Sequence, residues 1–559
     1  MLKIFPEIKN NSLMFAGVLL VCFLISSGVR YQQFVTWEKT PAAYFVGERP
    51  MMTTLDAPLW LRGAREYNEG TYGQKNSLRS YPENTQTFQE MSVKESSLPL
   101  KYTDSVPTSS SSSLSSSRTP EIYYRDVPLL SFLIAHLSPF FNHNYYLAGT
   151  LLIPLLASLF ILPLGFYFFM IGVPVSGLIG GLIGTFAGGY YMRSSIGRID
   201  TDMLNLFFPA LMALLILLAS RAKTERSILL FSIGAGICFA LFQWWYSKSG
   251  FALIYFAVLV FVLFIQKIRF RTILLSSLLF VLCMGQGIFS SSAPLLKGFL
   301  IDYSIFKDVA NESETVTKSK TTPASFPSTL TTISEVEHLP MEEVLRRVLS
   351  NPLFSWVGFL AFFGLAFFRW RGLLPLAPLL ALGLLSFQSS NRFIMYLAPF
   401  IGIGLGWLLS LAIEGVFVFW PRKDTESAEQ KALAAKSAKG TKGKKVQSFK
   451  VSKSQSSSAS EGEGPLWVKI ISWLRMGAED AGKNGLATKG AKDTKGKKVQ
   501  SSKDTEFQSS KWWNWVRQGA LYLGMGVFFW LISSQTAISF VPGPSIHPRI
   551  FATFLEVKK

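Results

Sequence analysis

The chain has 559 residues, of which 49% are hydrophobic, 14% aromatic and 16% charged, and its net charge is +20. A soluble globular chain carries about 25% charged residues, so this balance excludes an ordinary soluble enzyme, a disordered chain and a collagen-like one, and it favours a protein that crosses a membrane many times. The surplus of Lys and Arg then belongs in loops, where it reports sidedness, and no nucleic-acid partner is expected.

Leu13 to Val29 is the first apolar stretch, and no convincing small-x-small cleavage site follows it. Many spans come later, so it reads as a transmembrane helix that stays. Residues 30–126 are polar, with an amphipathic helix expected over Ala57–Glu69 and a serine run from Ser109 to Ser117. Val127–Phe141 is apolar, short and bounded by proline, and it is expected to lie along the interface. Six spans follow: Tyr145–Phe169, Pro174–Tyr190, Met203–Ser220, Ile228–Tyr246, Phe251–Ile265 and Ile273–Phe289. A polar stretch over residues 290–352 precedes Leu353–Phe368, Leu373–Phe387 and Ile394–Trp420. A long polar insertion occupies residues 421–517, and Gly519–Val541 is the last span before a short tail. The expected fold is all α, a polytopic transmembrane bundle of about 11–13 spans with long loops on one side.

Charge orients the bundle. The loops at Arg221–Arg226, Lys267–Arg271 and Arg369–Arg371, together with the 421–517 insertion, are rich in Lys and Arg and fall on one side if the helices alternate. By the positive-inside rule that side is cytoplasmic. The opposite side receives residues 30–126, Met192–Asp202, 290–352, Gln388–Arg392 and the tail after Val541. The insertion holds 21 Lys and Arg against 10 Asp and Glu, and it repeats itself: Thr441–Ser448 recurs as Thr494–Ser501. It reads as a duplicated, solvated linker, and its charge suits anionic membrane lipid at roughly 1 kcal/mol per basic residue near the surface. Within it, Pro465–Gly477 has the pattern of a helix lying on the membrane. Cys22, Cys238 and Cys283 all sit in apolar stretches, so no disulfide framework is expected, and the four histidines lack ligand spacing.

Acidic residues at span ends are costly and therefore informative. Asp56 precedes a helix start with Pro58 just inside it, the pattern of an N-cap. Asp200 and Asp202 stand at the mouth of a span, where they could cap it or share a hard divalent cation. Glu335, in Thr332-Ile333-Ser334-Glu335, lies in the late outer loop. All four fall on the non-cytoplasmic side.

An early-loop Asp, a D-x-D and a T-I-x-E, in this order, resemble the catalytic subunit of oligosaccharyltransferase, of the C-type glycosyltransferase fold. More segments match in order: Tyr190-Tyr191-Met192-Arg193 before the D-x-D, Asp200-Thr201-Asp202-Met203-Leu204 itself, Trp244-Trp245-Tyr246 at a span end, and Asn391-Arg392-Phe393 with Tyr396 and Pro399. The resemblance covers nearly the whole chain apart from the insertion. It implies a donor that is a polyprenyl-diphosphate oligosaccharide, an acceptor asparagine in a polypeptide, and Mn²⁺ or Mg²⁺ as cofactor. It places Asp56, Asp200, Asp202 and Glu335 in or beside the metal shell, Asp56 and Glu335 on the acceptor amide, and Arg392, Arg193 and Tyr246 at the donor diphosphate. It also implies a multi-pass protein of the inner (plasma) membrane with its site on the extracytoplasmic face. The domains expected are then a catalytic core over 1–420, the insertion over 421–517, and a last span with an outer tail over 518–559.

Members of that family carry a W-W-D-Y-G motif in a soluble outer domain after the last span, and no such motif occurs in this sequence. Trp512-Trp513-Asn514-Trp515 is superficially similar but falls on the cytoplasmic side. A separate polypeptide that supplies the outer domain is one expectation, and a truncated chain or a relative that needs no such motif are the others. The competing functions are a C-type enzyme that moves polyprenyl-linked sugar to a hydroxyl or lipid, an inactive subunit, and a transporter. The last fits least, because transporter sites sit near the midplane on broken helices.

Overall fold

The computed structural model describes residues 9–74, 127–246, 250–285, 339–388, 391–419, 501–533 and 539–558. Glu335, the serine run and nearly all of the basic insertion, including Pro465–Gly477, lie outside the described residues. The chain divides into two compact units, Met1–Val416 with Arg517–Lys559, and Phe417–Val516. The account below concerns the first.

The described residues are helical almost throughout. In chain order the elements are α1 (Lys9–Lys39), α2 (Pro41–Tyr44), a small hairpin of β1 (Phe45–Val46) and β2 (Arg49–Pro50), α3 (Ala57–Asn68) and α4 (Leu129–Leu137). Then come α5 (Tyr145–Ser158), α6 (Ile161–Met170), α7 (Pro174–Phe186), α8 (Gly188–Tyr191), α9 (Phe207–Arg221), α10 (Glu225–Trp245), α11 (Phe251–Ile265) and α12 (Phe270–Met284). After these come α13 (Met341–Val348), α14 (Pro352–Leu373), α15 (Ala377–Leu384), α16 (Ile394–Phe419), α17 (Ser501–Ser533) and α18 (Pro548–Lys558). Among the described residues, six helical runs are long and apolar enough to cross a membrane, and five more apolar helices are shorter. The chain is a multi-pass helical membrane protein.

One departure from the hydropathy reading is instructive, and so is one division that it drew. The first helix does not stop at Val29 but continues to Lys39, because its polar residues Arg30 and Gln33 are buried against other helices. The helical run Pro352–Phe387 is unbroken in extent, yet Arg369, where the two expected spans Leu353–Phe368 and Leu373–Phe387 divide, has non-helical φ and ψ. A straight helix would separate Phe359 from Phe387 by about 42 Å. Their rings are 5.5 Å apart, so the chain reverses at Arg369, as the short basic loop Arg369–Arg371 implies. Val127–Phe141 forms a short apolar helix and turn.

Packing concentrates in two apolar cores. One joins α6, α7 and α16 through residues such as Phe168, Ile179 and Phe400, and the other joins α9 to α12 through residues such as Met212, Phe239 and Phe280. The α7–α16 seam is close because both helices are rich in glycine there. A Cβ on Gly402 would stand 2.9 Å from the Cα of Gly180, the kind of approach small residues permit between membrane helices. A third, small cluster joins Phe34 and Trp37 of α1 to Ile196.

Candidate active site

Asp56 stands at the N-terminal end of α3 but makes no capping bond with its side chain, and it is exposed. The capping role expected from its position is therefore not what occupies its carboxylate. The helix behind it is firmly seated: Ser131 Oγ donates to the Trp60 carbonyl at 2.9 Å, and Asn68 Nδ2 donates to the Ala135 carbonyl at 3.0 Å. Trp244 Nε1 in turn donates to the Val127 carbonyl at 2.7 Å, tying the end of α10 to the start of α4.

Asp200 does cap. Its Oδ1 accepts from Thr201 N at 2.6 Å and from Thr201 Oγ1 at 3.3 Å, closing the short turn Thr201–Leu204 that leads into α9. Its other oxygen has no hydrogen bond among the described residues. Burial first, and the neighbouring Asp202 charge second, push the Asp200 carboxyl up to about 6. The two acidic loops are joined by their backbones: Thr53 N donates to the Gly197 carbonyl at 3.0 Å, and Thr53 Oγ1 to the Ile196 carbonyl at 3.3 Å. Each junction residue, Thr53 and Gly197, lies three positions before its Asp.

Asp202 is fully buried and differently engaged. Arg193 Nη1 donates to Oδ2 at 3.1 Å, while Arg392 Nη2 at 3.1 Å and Asn205 Nδ2 at 2.9 Å donate to Oδ1. The structure thus brings together three residues expected at the site, with one carboxylate between two guanidinium groups. Tyr246 and Tyr396 lie within electrostatic reach of Arg392. The turn is pinned from two further sides. Trp245 Nε1 donates to the Thr201 carbonyl at 2.7 Å, and the Tyr190 hydroxyl donates to the Met203 carbonyl at 2.8 Å.

Sequence reasoning marked Tyr246 but not Trp245 or Tyr190 as individual contributors. It also missed Arg30 and Gln33, whose signal was a charge and an amide continuing the helical register past the apolar stretch. Beside the cluster lies a cavity of about 610 Å³ whose lining includes Gly188, Gly189, Arg193, Arg198, Arg346 and Arg347, with no described Asp or Glu on its wall. Arg346 and Arg347 also pair one turn back with Glu342 and Glu343 at 3.1 and 3.2 Å.

Among the described residues no group of three His, Cys, Asp or Glu side chains is gathered as a metal site. The chemistry of the donors still fits a hard cation: the exposed carboxylate of Asp56 and the second oxygen of Asp200 are oxygen ligands that no described residue engages.

No protein-family model matches the chain. Two curated proteins from different strains of Campylobacter jejuni, each named undecaprenyl-diphosphooligosaccharide–protein glycotransferase, are 23% identical to it over 447 residues, covering 72% of this chain and 54% of theirs. The chain therefore spans about half the length of the curated relatives it matches. The solved structure of the archaeal oligosaccharyltransferase AglB from Archaeoglobus fulgidus, in complex with an inhibitory peptide and a dolichol-phosphate, is 14% identical, with a TM-score of 0.43 over 85% of this chain and 55% of that one. A structure of the Archaeoglobus fulgidus enzyme with Zn and sulfate is 15% identical, with a TM-score of 0.32 over 52% of this chain and 41% of that one. Over 72% of its length, then, the chain is similar in sequence to the glycotransferases of Campylobacter jejuni.

Proposed function

We propose that this chain is the membrane-embedded part of a metal-dependent oligosaccharyltransferase, which moves a glycan from a polyprenyl-diphosphate donor to an asparagine of an acceptor polypeptide. The observation that carries the reading is the pairing of the two acidic loops, with the carboxylates of Asp56 and Asp200 on hydrogen-bonded backbones beside the Asp202–arginine cluster. Asp56 and Asp200, with Glu335 from the late outer loop, would hold Mn²⁺ or Mg²⁺. Such an ion supplies positive charge against the negative charge that develops on a leaving diphosphate.

The protein's own groups have distinct tasks. A carboxamide nitrogen is a poor nucleophile because its lone pair is delocalised, and Asp56 and Glu335, by accepting its N–H bonds, would hold the amide in a geometry that frees the pair. Arg392 and Arg193 would add charge-assisted bonds to phosphate oxygens. Asp202 holds both guanidinium groups in place from behind. The arginine-walled cavity offers a seat to an anionic group on either reactant. The site would open on the extracytoplasmic face of the inner (plasma) membrane, where a lipid-anchored donor can reach it, and a separate soluble outer domain would complete acceptor binding.

The test is glycan transfer to a peptide in membranes with Mn²⁺ present, supplying the outer domain where one is found. Asp56→Ala and Glu335→Ala are each expected to lower the rate by at least about 10²-fold, the scale of losing a group that stabilises transition-state charge. Unchanged transfer in both variants would sink the reading. Analysis of the product separates this enzyme from a relative that glycosylates a hydroxyl or lipid, since only the former leaves the sugar on nitrogen.

The raised Asp200 carboxyl gives a second expectation. A cation must displace the proton that Asp200 carries below about pH 6. Mn²⁺ affinity, measured by the paramagnetic signal of free Mn²⁺, should be flat above that pH and fall about tenfold per unit below it. In Asp200→Asn the inflection near pH 6 should vanish.

A further inference from the structure

One face of α1 carries four buried side chains at helical spacing, Ser26, Arg30, Gln33 and Trp37. Arg30 is completely buried in an apolar bundle and has no carboxylate partner among the described residues. Its guanidinium is satisfied by neutral oxygens: Nε donates to the Ser194 carbonyl at 2.8 Å, Nη2 to Ser194 Oγ at 2.8 Å and the Thr185 carbonyl at 3.0 Å, and Nη1 to the hydroxyls of Ser26 and Thr185 at 2.9 Å each. The Tyr191 ring lies 5.1 Å from it. Gln33, one turn on, accepts from Ile196 N at 3.0 Å and donates to the Tyr191 hydroxyl at 2.9 Å and the Phe540 carbonyl at 3.1 Å.

What these bonds hold is the backbone from Ser194 to Ile196. That segment follows Arg193, which grips Asp202, and precedes Asp200. The same face also fixes the tail after the last span. Trp37 Nε1 donates to the Pro542 carbonyl at 3.1 Å, and Ser545 N and Oγ each donate to the Met52 carbonyl at 2.8 Å, four residues before Asp56. Burying a charge is costly unless it is fully hydrogen-bonded, and a charged side chain within a membrane helix marks function by default.

We propose that Arg30 and Gln33 are positioning residues that set the register of the two acidic loops against each other and so shape the metal-binding carboxylates. For the metal this rests on the reading of the site above, whereas the effect on the loops does not. Partners that orient ligands typically change metal affinity by 10–100-fold when lost.

The experiment uses the full chain in lipid nanodiscs and three readouts: amide hydrogen exchange, Mn²⁺ affinity with the metal alone, and the thermal midpoint. Gln33→Met removes all three bonds at similar volume, and Arg30→Lys keeps the charge but loses the fork that spans Ser194 and Thr185. Both should speed exchange at residues 196 and 53 selectively and weaken Mn²⁺ binding at least about tenfold. Gln33→Glu, which keeps the acceptor for Ile196 N, should retain protection at residue 196. Unchanged exchange at residues 196 and 53, or exchange raised evenly over the whole chain, overturns the proposal. Absence of Mn²⁺ binding in the unsubstituted chain removes the metal reading instead, and local exchange still decides the positioning role.

Discussion

Asp202→Asn is expected to abolish glycan transfer and to destabilise the protein, whereas Asp200→Asn abolishes transfer at little cost in stability. The two carboxylates are one residue apart from adjacency and chemically alike, so the difference arises from what surrounds them. Asp202 is fully buried, and each of its oxygens takes a guanidinium. Asparagine keeps one oxygen acceptor but no charge, and it leaves Arg193 and Arg392 against a neutral group. Removing one partner of a buried ion pair costs about 3–5 kcal/mol, chiefly because the remaining charge is stranded. The low end applies here, because the Arg392 side chain is 34% exposed and water screens it. Among the described residues no arginine is bonded to Asp200, which gives up one oxygen to its own turn. Its amide should lower Mn²⁺ affinity while leaving the thermal midpoint in place. The decisive comparison is a cycle with Arg193→Gln: the double variant Arg193→Gln with Asp202→Asn should be more stable than the sum of the single losses predicts, because removing both partners strands no charge between them. A midpoint for Asp202→Asn equal to that of the unsubstituted chain would overturn the assignment of Asp202 as the anchor of the two arginines.

How much of this was legible beforehand depended on the physics that each feature uses. Hydropathy found the spans because apolar length is what a bilayer demands, and the basic turn at Arg369–Arg371 marked the reversal between two of them. The same scale failed at Arg30 and Gln33. It scores a residue by its own polarity, while these two are buried by partners more than 150 positions away, at Ser194 and Ile196. Motif order pointed to Asp56, Asp200, Asp202 and Arg392, but motif spacing carries no information on partners. That Asp202 is gripped by two arginines, while Asp200 keeps an oxygen open, follows from the turn Thr201–Leu204 and from Trp245 and Tyr190 holding its carbonyls. Capping illustrates the same limit. Position alone suggested a capping role at both acidic loops, yet Asp200, with a donor on the next residue, caps and Asp56 does not.

Gly197→Ala should lower transfer by about 10²-fold although it adds only one carbon and touches no reacting group. Gly197 has φ +77, where an alanine costs roughly 1–2 kcal/mol. Strain of that kind is tolerable by itself; the surroundings are the larger obstacle. A Cβ there would stand 2.5 Å from Trp37 Cη2, 3.0 Å from the Met51 carbonyl oxygen and 3.0 Å from Thr53 Cγ2. Trp37 cannot retreat easily, because its indole is stacked on Tyr44 at 5.1 Å and bonded to the Pro542 carbonyl. Relief must come from the Met51–Thr53 backbone, which is the segment that hydrogen-bonds Gly197 and leads to Asp56. The substitution therefore moves the two acidic loops apart, and a displacement of about 1 Å between catalytic groups can cost 10²-fold in rate. Gly70 supplies the control. Its φ is +68 and nothing lies within 4 Å of where its Cβ would be, so Gly70→Ala incurs the backbone strain alone. If strain were the whole effect, both alanines would lower the thermal midpoint alike and leave transfer intact. The packing predicts instead that only Gly197→Ala loses transfer and Mn²⁺ affinity, and equal activity of the two variants would refute the view that this glycine sets the spacing of the acidic loops.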